Sequence, residues 1–219
     1  TGVQTCALPI LVGVVDIVDS TKITLSLSKE DSCRYYEVFL NTISQIIHEQ
    51  GGHVVKNIGD SLLFYFPDCD YTKASSFIEP IKCCMSIIAC KDIVNEMTKE
   101  LGLPKITYRV SADYGDVLIA KSISSLSPDI FGTTVNICAK INKLAKPGEI
   151  VIGGDLYQII KDTLSVEIKQ IPSLPTGLKI EYPVYAISEK VIEKSSTRTL
   201  MKIPQIAALS ASKIGRAHV

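Results

Sequence analysis

The stretch KNIGDSLLFYF, residues 56–66, places a glycine and an aspartate directly before a run of apolar and aromatic residues. Gly59-Asp60 is a common turn dipeptide, and the segments on either side, 53–57 and 61–66, have the composition of strands. The pattern predicts a β-hairpin with a carboxylate at its tip. A turn alone explains that aspartate, whereas a second aspartate in a similar setting would indicate a metal site.

The second aspartate lies near the end of the first predicted strand. Residues 11–17, LVGVVDI, form a short valine-rich run that predicts a buried strand, and this run contains Asp16. Carboxylates from two neighbouring strands can hold two divalent cations about 4 Å apart. Mg²⁺ suits such a site, because it takes few carboxylates and completes its shell with phosphate and water. Taken singly, Asp16 is also explained as a cap before a turn, and Asp60 as a turn residue.

Helices alternate with hairpins along the rest of the chain. The predicted helices run from Ser28 to a stop at Gly51 and over 71–100, 133–145 and 155–161, with Pro80 either kinking the second or marking its start. The remaining predicted strands are 106–112 and 117–121, joined by a hairpin at 113–116, and then 149–152, 166–168 and 182–187. This order indicates an α+β fold of ferredoxin-like kind, with helices on one face of a sheet.

The composition excludes several classes of partner. The 219 residues with 46% hydrophobic content suit one globular domain, with or without a tail. The 23 basic and 23 acidic residues form no basic stripe, so we expect no nucleic-acid partner. No apolar run approaches the roughly 20 residues of a membrane span, so we expect neither a span nor a signal peptide in this segment.

The cysteines indicate a reducing compartment. None of the six between residues 11 and 213 forms a CxxC pair, so we interpret them as reduced thiols of a cytoplasmic protein rather than as zinc ligands. They are Cys33, Cys69, Cys83, Cys84, Cys90 and Cys138.

The two ends have a different character. TGVQTCALPI (1–10) and IGRAHV (214–219) resemble in-frame translations of a common DNA-sequencing adapter and its reverse complement, and we interpret them as assembly artefacts. The native stretch is then 11–213, with a tail or linker at 188–213. We expect this stretch to be part of a longer protein, in which a fused sensor or effector domain would lie outside it.

Three stretches stand along the chain in a characteristic order and spacing: VVDIVDST (14–21), KNIGDSLLFYF (56–66) and PDIFGTTVNICAKINKLAKPGEIVI (128–152). Together they resemble the class III nucleotidyl cyclase catalytic domain, the adenylate/guanylate cyclase family. The resemblance covers about residues 11–187, which we take as the catalytic domain. It implies the fold of that family, a central and mostly antiparallel sheet with helices packed on it.

The resemblance assigns roles to the residues around both aspartates. Asp16 and Asp60 would bind two Mg²⁺ or Mn²⁺ ions, and the backbone carbonyl of Ile17 would also face a metal. The turn after the first strand exposes backbone N–H groups that can bind phosphate oxygens. Its residues are Val18, Asp19, Ser20 and Thr21.

The resemblance also implies that adenine is the base. Lys56 and Asp129 fall on the base-selecting positions of the family, where adenylate cyclases use lysine and aspartate and guanylate cyclases typically place Glu and a small residue such as Cys. Aspartate would accept from the adenine amino group and lysine would donate to a ring nitrogen, whereas guanine O6 would face the carboxylate. Lys56 is also explained as a solvated strand residue, and Asp129 as the start of a turn.

The transition-state residues of the family fall on the third stretch. Asn136 occupies the position of its asparagine, and Lys140 stands four residues later in place of its arginine, so both share one helix face. Lysine keeps the charge but lacks the planar fork of arginine, which is worth about 10³-fold or more in phosphoryl transfer. Lys179 lies near the position of a phosphate-binding lysine, and residues 113–115 replace a His-Thr-Gly that usually supports the dimer.

The function implied by the resemblance is that of an adenylate cyclase, which converts ATP into 3′,5′-cyclic AMP and pyrophosphate by two-metal catalysis. In the family one subunit gives the aspartates and the other gives the base-selecting and transition-state residues. All of them are present in this one chain, which implies a symmetric homodimer. The alternative is a catalytically weak nucleotide-binding regulatory module, which Lys140 favours. A diguanylate cyclase is disfavoured, because no GGDEF motif follows the second strand.

Overall fold

The computed structural model describes residues 6–120, 129–172 and 181–188. Its strands are β1 (Cys6–Ile17), β2 (His53–Ile58), β3 (Ser61–Phe66), β4 (Tyr108–Ala120), β5 (Asp129–Phe131), β6 (Ile150–Gly153), β7 (Ile168–Ile171) and β8 (Val184–Ile187). Its helices are α1 (Ser20–Thr24), α2 (Lys29–Glu49), α3 (Ile78–Ala89), α4 (Lys91–Glu100), α5 (Thr133–Asn142) and α6 (Gly154–Ile160). The strands form one sheet in the order β2-β3-β1-β4-β6-β8-β7, and β5 pairs with β4.

The sheet is mostly antiparallel, as the sequence predicted, and among the described pairs only β4 and β6 run parallel. The predicted hairpin around Gly59-Asp60 is confirmed as β2 and β3. Strand β1 lies between β3 and β4, and it begins at Cys6 instead of Leu11 because its first residues continue the ladder with β4. The central strands β1 and β4, with 12 and 13 residues, therefore place side chains at both ends of the sheet.

Helices cover both faces of the sheet, so the prediction of helices on one face is wrong. Leu11 and Val15 of β1 belong to the core cluster that contains the buried side chains of α2, α3 and α6. Val12 and Val14, which point the opposite way, pack in a second cluster with Cys138 of α5. Because β1 is apolar on both faces, it is buried only when both faces are covered.

Strand β4 runs without interruption through 113–116, so the hairpin predicted there is wrong. Asp113, Tyr114 and Gly115 continue the antiparallel register with β1, opposite Val12, Leu11 and Ile10. Pairing along the whole length of β1 outweighs the turn composition of this segment. The hairpin at this edge instead joins β4 to β5, and the connecting residues 121–128 lie outside the described residues.

The long helix predicted over 71–100 is divided. A 3-10 helix covers Ala74–Phe77, α3 follows from Ile78, and α4 begins after Cys90. Pro80 lies in the first turn of α3, where a missing N–H costs nothing, so it marks the start of the helix and not a kink. At Cys90 the Sγ atom lies 3.2 Å from the hydroxyl of Tyr108, which ties the junction to β4.

The helix predicted from Ser28 is confirmed as α2. The side chain of Ser28 accepts a hydrogen bond of 3.0 Å from the amide of Asp31, and Gly51 adopts a positive φ of 82° after the helix ends. The last helices and strands differ from their predicted bounds by up to three residues. Lys179 and the predicted tail from 189 onward lie outside the described residues. No described helix is long and apolar enough to cross a membrane.

Candidate active site

The two predicted metal-binding aspartates lie beside each other at one end of the sheet. Asp16 of β1 is paired with Ser61 of β3, and Asp60 directly precedes that serine. Gly59 turns the chain with a φ of 63°, a conformation that glycine adopts without strain. The amide of Ile17 then donates to the carbonyl oxygen of Asp60 at 3.4 Å. The hairpin tip is thereby held against the end of β1.

Each aspartate accepts a hydrogen bond from a serine. The hydroxyl of Ser61 donates to Oδ1 of Asp16 at 2.6 Å. The hydroxyl of Ser20, which is 4% exposed, donates to Oδ2 of Asp60. Sequence reasoning placed Ser20 in the phosphate-binding turn and missed Ser61 altogether.

Arg109 of β4 is a site residue that the sequence analysis missed. It lies opposite Asp16 in the register of β1 and β4, and its guanidinium donates to Oδ2 of Asp16 from Nη2 at 2.8 Å and from Nε at 3.2 Å. Its Nη1 also donates to the carbonyl oxygens of Lys143 and Ala145, at 3.5 and 3.4 Å. The one sequence feature that could have drawn attention to Arg109 is its charge within an otherwise mostly apolar strand. That feature identifies Asp16 as its partner only once the register of β1 and β4 is known.

The turn after β1 presents the start of α1. Asp19 adopts a left-handed conformation with a φ of 57° and precedes this short helix. The amide of Val18 already donates to the carbonyl of Thr107 at 2.8 Å. The amides of Asp19, Ser20 and Thr21 are therefore the candidates for an anionic ligand, because the first N–H groups of a helix have no intrahelical acceptor.

The chemistry of this donor set fits a hard divalent cation. Among the described residues no third His, Cys, Asp or Glu side chain joins the pair to form a larger cluster. A carboxylate offers about four lone-pair sites, so Asp60, with its bond from Ser20, retains acceptor positions for a cation. Mg²⁺ requires few carboxylates and takes the remaining oxygens from phosphate and water.

The two predicted base-selecting residues contact each other. Nζ of Lys56 on β2 lies 2.5 Å from Oδ2 of Asp129 on β5, and it also lies 5.6 Å from the centroid of the Phe131 ring. The side chain of Lys56 is 42% exposed and that of Asp129 is 24% exposed, so a ligand can reach both. The amide of Ile130 donates to Oδ1 of Asp129 at 2.9 Å, which fixes the carboxylate.

Asn136 and Lys140 lie on one exposed side of α5. They are separated by four residues, about one turn of the helix, and both are exposed. The opposite side of α5 is buried, where Asn142 donates to the carbonyl of Val14 at 3.0 Å. Among the described contacts, no hydrogen bond or ion pair joins Asn136 to either aspartate or to the Lys56–Asp129 pair.

A buried carboxylate lies on β4, away from these groups. Asp113 is 1% exposed and accepts hydrogen bonds from the hydroxyl of Tyr182 and from the amide of Tyr114, both at 2.9 Å. Burial, with a smaller contribution from the nearby charge of Asp155, raises the pKa of Asp113 to about 7, while the hydrogen bonds from Tyr182 and Tyr114 act to lower it. Gly153 lets it fit, because a Cβ there would lie 2.3 Å from the carboxylate.

Comparison with known proteins places the chain in a family. The model of the adenylate and guanylate cyclase catalytic domain matches residues 9–187. An adenylate cyclase of Streptomyces coelicolor is 23% identical over 141 residues, which cover 64% of this chain and 31% of the relative. A cytidylate cyclase of Escherichia coli is 25% identical over 169 residues, which cover 71% of this chain and 36% of the relative. The chain thus spans about a third of the length of these curated relatives.

Solved structures show the same fold. The adenylyl cyclase CyaB from P. aeruginosa superimposes with a TM-score of 0.75 at 19% identity, covering 85% of this chain and 96% of that one. The guanylyl cyclase Cya2 superimposes with a TM-score of 0.74 at 18% identity, covering 85% and 94%. Because the family model spans most of the chain, this protein belongs to the adenylate and guanylate cyclase catalytic domain family.

Proposed function

We propose that this chain is an adenylate cyclase of the cytoplasm that converts ATP into 3′,5′-cyclic AMP and pyrophosphate in intracellular signalling. The observation that carries the proposal is the contact between Lys56 and Asp129, an exposed donor and a half-buried acceptor held 2.5 Å apart. The adenine amino group can donate to Asp129, and a ring nitrogen can accept from Lys56. Guanine would turn its O6 acceptor toward the carboxylate, so that two acceptors would face each other with no donor between them.

The reaction is an internal displacement at phosphorus. The ribose 3′-oxygen of ATP gives its proton to water and forms a bond to the α-phosphorus. The bond between the α-phosphorus and the oxygen that bridges to the β-phosphate breaks, and pyrophosphate leaves with that oxygen. Two Mg²⁺ or Mn²⁺ ions held by Asp16, Asp60 and the carbonyl of Ile17 would lower the pKa of the attacking hydroxyl and neutralise the phosphates.

The remaining roles fall to groups of the chain itself. The amides at the start of α1, from Asp19 to Thr21, would donate to the β- and γ-phosphate oxygens. Asn136 would orient the ribose, and the ammonium of Lys140 would offset the charge that develops on the α-phosphate. Val18 contributes to this turn through the hydrogen bond from its amide to the carbonyl of Thr107, the residue before β4.

A complete site needs two copies of the chain in this proposal. The aspartates, with Ser20 and Ser61, form one contact group, and Lys56 with Asp129 forms another, with no described hydrogen bond or ion pair between the two groups. A symmetric homodimer brings the first group of one subunit to the second group of its partner, and it does so twice.

Lys140 supports a second candidate function, a nucleotide-binding regulatory module with weak activity. Lysine offers a point charge where arginine would offer a planar fork. An arginine that stabilises phosphoryl-transfer charge is worth about 10³-fold or more, so the rate with lysine is expected to be low. The module would bind ATP and form the dimer without releasing cyclic AMP.

One assay separates the two functions. The purified full chain is incubated with ATP and either Mg²⁺ or Mn²⁺, and cyclic AMP is quantified. Asp60→Asn, which keeps the side-chain shape but removes the charge, should lower the rate by about 100-fold or more. Asp68→Asn, at an exposed position after β3, is the matched control and should leave the rate unchanged. ATP binding by a dimer that forms no cyclic AMP would favour the regulatory module.

A further inference from the structure

The two aspartates are held by a crossed pair of hydrogen bonds. Ser20 follows Asp16 along the chain, yet its hydroxyl binds Asp60. Ser61 follows Asp60 directly, yet its hydroxyl binds Asp16 at 2.6 Å. Each segment that carries one carboxylate thus supplies the hydroxyl that orients the other. Neither segment can shift without breaking a hydrogen bond to the other segment.

We propose that Ser20 and Ser61 are positioning residues that hold the two carboxylates in the orientation that binds a divalent cation. The inference deepens the proposed function, since it concerns the same metal-binding pair. A carboxylate can rotate about its last side-chain bond, and a hydroxyl bound to one oxygen fixes that rotation. Small octahedral cations such as Mg²⁺ tolerate little misplacement of their oxygen ligands.

Removing each serine leaves its aspartate with a different number of hydrogen-bond donors. Asp16 has a second partner, because Arg109 donates to its other oxygen at 2.8 and 3.2 Å. For Asp60, Ser20 is the one side chain that donates to it among the described hydrogen bonds. The hydroxyl of Ser20 is also buried, so water does not readily replace it. Loss of Ser20 should therefore weaken metal binding more than loss of Ser61.

The chain offers a shape-matched test at Ser61. Threonine and valine are both β-branched, suit a strand, and differ in one hydroxyl. Ser61→Thr keeps the donor, whereas Ser61→Val removes it in nearly the same volume. Ser20→Ala removes the second donor, and Ser26→Ala is its control, because the hydroxyl of Ser26 binds a backbone carbonyl at 2.7 Å and no aspartate.

The measurement is Mn²⁺ affinity of the full chain without nucleotide, read by the loss of the free-ion signal in electron paramagnetic resonance. Outer-shell partners of metal ligands typically contribute 10–100-fold in affinity. We expect Ser61→Val to bind Mn²⁺ about 10-fold more weakly than Ser61→Thr. Ser20→Ala should bind closer to 100-fold more weakly than the wild type, with Ser26→Ala unchanged. Thermal unfolding without metal checks that the variants remain folded.

The results of these measurements distinguish the positioning role of the serines from the proposed adenylate cyclase function. Equal Mn²⁺ affinity of the valine and threonine variants would overturn the positioning role, even if the wild type produces cyclic AMP. Lower affinity in the valine variant of a chain that forms no cyclic AMP would support the positioning role and overturn the adenylate cyclase. No Mn²⁺ binding by the wild type without nucleotide would overturn the positioning role, and cyclic AMP formed by the same protein would leave the proposed function standing.

Discussion

Arg109 and Asp16 face each other across β4 and β1, and two nitrogen atoms of the guanidinium bind one carboxylate oxygen at 2.8 and 3.2 Å. The same guanidinium reaches two carbonyl oxygens after α5. Both side chains are mostly buried, with 20% and 17% exposure. The positive charge of Arg109 thus offsets a carboxylate that we propose binds a cation.

Removing Arg109 should lower the free energy of unfolding, and a bound divalent cation should restore part of that loss. Arg109→Gln leaves Asp16 with one hydroxyl partner and should lower the free energy of unfolding by about 1–3 kcal/mol. Arg34→Gln, which breaks an exposed ion pair with Glu30, should cost no more than about 1 kcal/mol. Urea unfolding at neutral pH measures both, and added Mn²⁺ should stabilise Arg109→Gln more than the wild type. Equal effects of the two substitutions would contradict this role.

The contact of Lys56 with Asp129 predicts that the base preference can be exchanged. Lys56→Glu combined with Asp129→Cys replaces the adenine-binding donor and acceptor with the residue types that the resemblance assigns to guanylate cyclases. A site built to hydrogen-bond one base rejects a base that leaves its polar groups unpaired. We expect the double variant to form more cyclic GMP than cyclic AMP when each substrate is offered separately. Retained preference for ATP would show that other groups select the base.

The lysine on α5 should limit the rate. Lys140→Arg supplies the planar fork and should raise kcat by about 10-fold or more, because arginine contributes up to about 10³-fold or more in related phosphoryl transfers. Lys143→Arg, at another exposed position three residues further along, should leave kcat unchanged. An unchanged kcat in Lys140→Arg would remove Lys140 from the transition state.

The dimer can be tested by complementation. Asp60→Asn and Asn136→Ala should each be nearly inactive, since each damages both sites of its own homodimer. Mixing them after brief denaturation and refolding should restore about a quarter of the wild-type activity, by random pairing in a symmetric dimer. Asp60→Asn mixed with Asp16→Asn should restore nothing, because both substitutions affect the same half of the site. A lack of recovery in the first mixture would contradict a shared site.

The buried Asp113 predicts a pH dependence of stability. Its folded pKa of about 7 lies above the value near 4 of an unfolded aspartate, so the folded state binds the proton more tightly. The quantity compared is the free energy of unfolding of the wild type minus that of Asp113→Asn. This difference should be highest at or below about pH 4 and should fall by about 1.4 kcal/mol per pH unit between about pH 4 and pH 7. Above about pH 7 it should stay constant. Chemical unfolding of both proteins from pH 5 to 8 measures the difference. A constant difference would mean that Asp113 does not titrate in this range.

Local pattern was enough to predict the groups that lie within one turn or one hairpin. Gly59-Asp60 forms the predicted turn, and Asn136 and Lys140 share the predicted side of a helix. The family resemblance assigned Lys56 and Asp129 to base selection, and in the structure the two side chains lie in contact. Their roles in binding and catalysis remain predictions.

The features that the sequence analysis did not predict depend on which strands are neighbours in the sheet. Arg109 has meaning only through its register with Asp16, and no feature of residues 106–112 reveals that register. The interpretation of 113–116 as a turn failed because β1 pairs with this segment throughout. The apolar residues on both sides of β1 indicate cover on both faces, whereas the alternation of helices with hairpins does not distinguish one covered face from two.

The most direct test of adenylate specificity offers the wild-type chain of 219 residues ATP, GTP and CTP at equal concentration with Mn²⁺ and separates the cyclic products by mass spectrometry. We predict that cyclic AMP exceeds cyclic GMP by about 100-fold or more, because guanine would turn its O6 acceptor toward Asp129. We also predict more cyclic AMP than cyclic CMP, a comparison that the hydrogen-bonding pattern alone does not decide, since cytosine carries an amino donor beside a ring acceptor as adenine does. Asp60→Asn should abolish all three products. Cyclic GMP or cyclic CMP in excess of cyclic AMP would contradict the proposed adenylate cyclase.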